Sequence, residues 1–237
     1  MGTYEWDPVV RALELLRQAT VRDPDFASAL AAAGYCHAQL DAIGRVDDRV
    51  ANRRAGIDCA RRALRVAGDD AFALAAVAHL LGYFNEDIDT AIAIVDRALA
   101  INPSSAYGWR WSAFARLYAG RPDVARAHFE TSLRLNPRGP RWVQLTGIGV
   151  TYFFERQFND AVTALLTALQ ENPAYPLAHR MLAACFAHMG RIDEARDVVT
   201  RLRAITPVVI PLDTNYRNPD QRELFLSGLR LAMDETE

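Results

Sequence analysis

The chain has 237 residues, 51% of them hydrophobic, and its 27 basic side chains against 29 acidic ones leave a formal charge of −2. With a pI near 6.2, this balance argues against a polybasic nucleic-acid or anionic-membrane binder and describes a soluble globular core, not a disordered tail. Three scattered cysteines, Cys36, Cys59 and Cys185, form no disulfide framework and point to a reducing, cytoplasmic setting. The opening residues read as no leader, and no uncharged stretch reaches the ~20 residues that span a bilayer.

In chain order, Asp7 and Pro8 predict a helix over about 8–22, with Asp7 as N-cap and Pro8 at the first helical position. It ends at Asp23-Pro24. The same closure recurs at Asn102-Pro103, Asn136-Pro137, Asn172-Pro173 and Thr206-Pro207, with a degenerate copy at Ala67-Gly68. Proline stops each helix, and the Asn or Asp before it suits a turn. Five residues before each closure stand Ala19, Ala63, Ala98, Ser132, Ala168 and Leu202, mostly small. From Gly68 onward the closures are 35, 34, 36 and 34 residues apart. The first step, from Pro24, is 44 residues and holds an insertion near Asp41–Arg54, a charged stretch that reads as solvated surface.

A period of about 34 is that of helix–turn–helix repeats. It predicts five helical hairpins over about 25–67, 69–102, 104–136, 140–172 and 174–206. Residues 1–207 then form a repeat array that opens with a half repeat over 8–24. Residues 208–237 supply an extended, proline-containing linker and an amphipathic helix over about 219–233. That helix has Leu224, Phe225, Leu229 and Leu231 to bury and Arg222, Glu223 and Arg230 to expose. It caps the open end of the array.

The positions inside each unit resemble the tetratricopeptide repeat. The third copy carries Trp109, Ala113, Gly120, Ala125, Phe129 and Pro137, and the fourth Leu145, Gly149, Tyr152, Ala161, Leu165 and Pro173. The fifth carries Leu182, Ala183, Phe186, Gly190, Ala195 and Pro207, while Leu30, Gly34, Leu74 and Ala78 mark weaker first and second copies. The resemblance covers roughly residues 8–207 and implies an all-α, right-handed solenoid of antiparallel helix pairs. Small residues at Gly34, Ala78, Ala113, Gly149 and Ala183 let paired helices approach. Trp109, Tyr152, Phe129 and Phe186 fill the layer between units.

The first helix matches only the second half of a repeat. Its apolar face is covered by the N-terminal residues, by another chain in a homodimer, or by a preceding part of a longer protein, the reading favoured here. The tail Asn215–Met233 resembles the segment that closes repeat regions in bacterial class III adenylate or guanylate cyclases and winged-helix transcriptional regulators. The matching residues are Tyr216, Arg217, Pro219, Phe225, Gly228, Leu229 and Arg230.

Catalytic motifs are missing: no P-loop, G-x-S-x-G, H-E-x-x-H or C-x-x-C occurs. Gly147-Ile-Gly149 reads as helix packing and not as half of a dinucleotide fingerprint. His179, Cys185 and His188 read as core and surface residues, not as a metal site. We therefore expect a non-catalytic scaffold without cofactor, binding a protein, a peptide or another domain of its own parent.

In the resembled repeat fold the first helix of each hairpin lines a concave wall. Here that wall presents Tyr35, His79, Tyr107, Arg110, Phe114, Thr146, Val150, Phe153 and Arg180. The expected groove centres on Tyr107, Arg110, Phe114 and Phe153. The Lys/Asn/Arg clamp that related proteins use on chaperone tails is replaced by Ala31, Tyr35, Ala75, His79, Arg110 and Phe114.

Overall fold

The computed structural model describes residues 7–44, 46–211 and 214–233. Among them it holds twelve helices and no strand: α1 Asp7–Arg22, α2 Ala27–Ile43, α3 Arg49–Val66, α4 Ala71–Tyr83, α5 Ile88–Ile101 and α6 Ala106–Tyr118, then α7 Pro122–Leu135, α8 Trp142–Phe154, α9 Phe158–Glu171, α10 Pro176–His188, α11 Ile192–Ile205 and α12 Pro219–Ala232. Helix α1 is described from Asp7, and the Asp7 side chain, predicted to cap it, lies outside the described residues.

The helix closures repeat because their local chemistry repeats. At Asp23, Asn102 and Asn172 the side-chain oxygen accepts the N–H two residues on, at 3.1, 3.2 and 3.2 Å. This is an Asx turn across the proline. The turns inside the pairs need one residue in the left-handed region. Gly120 and Gly190 supply it at φ 80° and 74°, and Asn85 and Arg156 occupy it at φ 59° and 60°. Asp48, Asp70 and Asp87 cap α3, α4 and α5 by accepting backbone N–H groups of the first turn.

The chain divides into two compact units, Glu5–Ala115 and Arg116–Glu237. In the first, α1 packs on α2, α2 on α3 and α4, and α4 on α3 and α5. Close approach depends on small residues. A Cβ at Gly34 would lie 2.6 Å from Leu80 Cδ1, and Ala60, Ala63 and Ala78 are fully buried.

The insertion lengthens both helices of its pair, to 17 residues in α2 and 18 in α3, against 13 and 14 in α4 and α5. Its charges are not all solvated surface, a correction to the sequence reading. Asp41 is buried, with Arg49 Nε at 2.9 Å and Arg53 Nη1 at 3.2 Å, and it accepts the Tyr83 hydroxyl at 3.2 Å. Arg53 also donates to the Phe84 carbonyl and stacks on the Phe84 ring. A buried carboxylate is tolerated only when paired in this way.

In the second unit α8 packs on α7, α9 and α10, and α10 on α9 and α11. Helix α12 lies on α10 and α11. Phe129, Phe153, Phe225, Leu117, Leu165, Met181, Leu182, Leu202 and Leu229 are its largest fully buried side chains. Gly147 and Gly149 are contact points. A Cβ at Gly147 would fall 2.2 Å from the Phe129 ring, and one at Gly149 2.7 Å from Leu165 Cγ.

Two layer assignments need correcting. Trp109 is half-buried and donates its indole N–H to the Pro103 carbonyl at 2.8 Å, bracing a turn, whereas the buried indole is Trp111. Leu231 is exposed on α12, and Gln221 is buried on that helix.

Candidate functional site

Within Glu5–Ala115 the structure brings the predicted wall residues together. Tyr35 of α2 and His79 of α4 have ring centroids 5.7 Å apart, and His79 and Phe114 of α6 also stand at 5.7 Å. Arg110 lies over the Tyr107 ring at 4.6 Å. Tyr107 is 51% exposed and forms the rim.

The centre of the cluster is Trp111, which the sequence reading missed. It is 2% exposed, stacks on His79 with an interplanar angle of 20°, and meets Tyr35, Phe72 and Tyr107 at 6.0, 5.5 and 5.8 Å. Arg110 also covers it, at 5.7 Å. The signal was present: Trp111 stands four residues after Tyr107 and three before Phe114, hence on one helical face. The repeat template had drawn attention to Trp109 instead.

Burial, helped by the nearby Arg110 guanidinium, pulls the His79 pKa down to about 3. The imidazole is therefore neutral at any physiological pH. Its Nδ1 and the Trp111 Nε1 are buried without a hydrogen-bond partner among the described residues.

The remaining predicted residues lie within Arg116–Glu237 and are closed over. Thr146, Val150 and Phe153 have no exposed surface, and Thr146 Oγ1 donates to the Trp142 carbonyl at 2.8 Å. Phe153 packs between Phe154, Phe158 and His188. Arg180 is turned onto the C-terminal segment, donating from Nε to the Val209 carbonyl at 3.0 Å and from Nη2 to the Val208 carbonyl at 2.7 Å.

That segment continues across the same unit. Tyr216 is buried against Tyr118, Phe154 and Phe225 at 6.1, 4.7 and 6.0 Å, and burial raises its phenol pKa well above the usual value. The Arg217 N–H donates to the Tyr118 carbonyl at 2.9 Å. Gly228 of α12 permits the closest approach, since a Cβ there would lie 2.8 Å from Ala184 Cβ. Phe153 therefore lies in the core of its unit and not on an open groove, and Arg180 is the predicted wall residue that the chain's own tail engages.

The histidines and cysteine weighed as metal ligands are engaged elsewhere. His179 Nε2 meets the Pro173 carbonyl at 2.8 Å, His188 Nε2 meets the Leu224 carbonyl at 2.7 Å, and burial pushes the Cys185 thiol up to about 12. Among the described residues no group of three or more His, Cys, Asp or Glu side chains could hold a metal ion. No helix among them is long and apolar enough to cross a membrane.

Residues 154–211 match the tetratricopeptide repeat family. No curated protein sequence matches the chain. Among solved structures, the human IFIT1 dimer with m7Gppp-AAAA is similar at a TM-score of 0.68 and 19% identity, over 85% of this chain and 46% of that one. The APC/C hetero-tetramer Cut9-Hcn1 is similar at 0.64 and 15%, over 94% of this chain and 40% of that one. TTC0263, a thermophilic TPR protein of Thermus thermophilus, is similar at 0.58 and 21%, over 76% of this chain and 92% of that one. The chain spans less than half the length of the first two. At these identities the likeness shows the fold, an all-α solenoid of antiparallel helix pairs. The family match covers residues 154–211, and the fold of paired helices extends beyond it.

Proposed function

We propose that the chain is a non-catalytic scaffold that binds a protein partner through the aromatic cluster of Glu5–Ala115. One observation carries this reading. Tyr35, His79 and Trp111, from three successive first helices, pack into one cluster, His79 and Trp111 buried within it, whose rim, Tyr107 and Phe72, is 51% and 42% exposed. Aromatic residues with Arg are the composition of interface cores. Of the other predicted wall residues, Thr146, Val150 and Phe153 have no exposed surface and Arg180 is bonded to the chain's own tail, so they are not assigned to a partner. RNA is not proposed as ligand: the likeness to IFIT1 supports the fold alone, and the formal charge is −2.

A photo-crosslinking residue at Tyr107 tests the assignment in the native cell, with the same residue at exposed Leu166 as control. A discrete protein adduct from position 107 and none from 166 is expected. Equal labelling, or none from 107, would contradict it.

The setting we propose is the regulatory region of a bacterial signalling protein, supported by the resemblance of Asn215–Met233 to the closing segment of cyclase and winged-helix regulators. Genomic sequence upstream of Met1 encoding neither domain in frame would overturn this setting.

A further inference from the structure

We infer that the aromatic cluster of Glu5–Ala115 recognises an extended peptide segment in which an Asp or Glu side chain, seated on Arg110, stands beside an apolar side chain. The inference rests on the binding role proposed above and names the ligand class of that surface.

Arg110 is half-buried, and its guanidinium lies over the rings of Tyr107 and Trp111 at 4.6 and 5.7 Å. Stacking occupies the face of the planar group and leaves its in-plane N–H edge for an acceptor. Among the described residues no carboxylate or carbonyl takes that edge. A partner that displaces water from a half-buried cation must return an anion to it, and a carboxylate fits the guanidinium fork. A cationic ligand is disfavoured, because Arg110 already covers two of the cluster's rings.

The neighbouring groups agree. His79 stays neutral and so adds no competing cation, and Tyr107 under the guanidinium and Phe72 against Trp111 offer exposed apolar surface. His79 Nδ1 and Trp111 Nε1 are buried in the cluster without a hydrogen-bond partner among the described residues. The cluster also draws on three first helices in turn, α2, α4 and α6, which suits an extended chain crossing the repeats.

Selection of short, C-terminally blocked random peptides on the full chain tests this, repeated on Tyr107→Ala and on Arg110→Gln after each is shown to melt like the parent. Peptides that depend on Tyr107 are expected to carry Asp or Glu beside an aromatic or aliphatic residue. Replacing that acid with its amide should weaken binding about tenfold. In Arg110→Gln the same replacement should cost nothing, a coupling that a merely structural arginine would not show. Tyr107-dependent peptides without an acid, or an acid effect that survives Arg110→Gln, would overturn the ligand class and leave the binding role standing. No Tyr107-dependent peptide at all would overturn both. Arg110-dependent dimerisation, unaffected by acidic peptides, would make a second copy the occupant and overturn the peptide.

Discussion

Phe225→Ala is expected to lower the unfolding free energy by about 3–5 kcal/mol, the usual cost of deleting a fully buried ring. Phe225 is buried where α12 meets its own unit, with the Tyr216 ring 6.0 Å away and α10 beneath the helix. The lost contacts link two parts of the tail, the extended stretch through Tyr216 and the helix through Phe225. Removing the ring should therefore loosen both at once. Leu231→Ala, at an exposed position of the same helix, is the control and should change stability by less than about 0.5 kcal/mol. Urea denaturation of the two variants reads the difference. A loss below about 1 kcal/mol for Phe225→Ala would mean that α12 does not bury its apolar face against the unit.

The second large effect is a pH dependence seated in the aromatic cluster. The His79 pKa is held at about 3 in the folded protein, from an ordinary value of 6.5. The folded state therefore refuses a proton that the unfolded chain accepts as pH falls below 6.5. The stability in question is fully present above that value and declines with falling pH. By linkage, about 2 kcal/mol is lost by pH 5. His79→Phe keeps a stacking ring on Trp111 and removes the titration. Its stability should fall less between pH 7.5 and pH 5 by that amount. Burial also lowers the His179 pKa, and its loss has the same sign. It is present in both proteins and cancels in the comparison. Parallel pH profiles for wild type and variant would contradict the buried, neutral placement of His79.

Most of the helical architecture was legible because its signals are local. A proline with Asn or Asp before it stops a helix wherever it stands, and the side-chain bonds at Asp23, Asn102 and Asn172 make the same turn each time. The small positions were legible for a related reason, since Gly34 and Gly149 would each collide with a facing leucine if they carried a side chain. What escaped the sequence depends on distant partners. Asp41 reads as surface until Arg49, Arg53 and Tyr83 are folded around it. Arg180 sits at a wall position by register, yet its partners are two carbonyls 28 and 29 residues further on. The amphipathic pattern of α12 indicated a buried face without saying what would lie beneath it. Trp111 was legible by helical spacing and was passed over because the repeat template favours Trp109. The cluster in Glu5–Ala115 could thus be read from periodicity, and the burial of Thr146, Val150 and Phe153 and the engagement of Arg180 could not.

Hydrogen exchange across the full chain tests most directly whether the C-terminal segment is the resident occupant of its own repeat face. The amides of α12 and that of Arg217, bonded to the Tyr118 carbonyl, are predicted to exchange as slowly as those of α10. Exchange of α12 and Arg217 at the rate of an unstructured peptide, with α10 still protected, would contradict the account and return Arg180 to the surface available to partners.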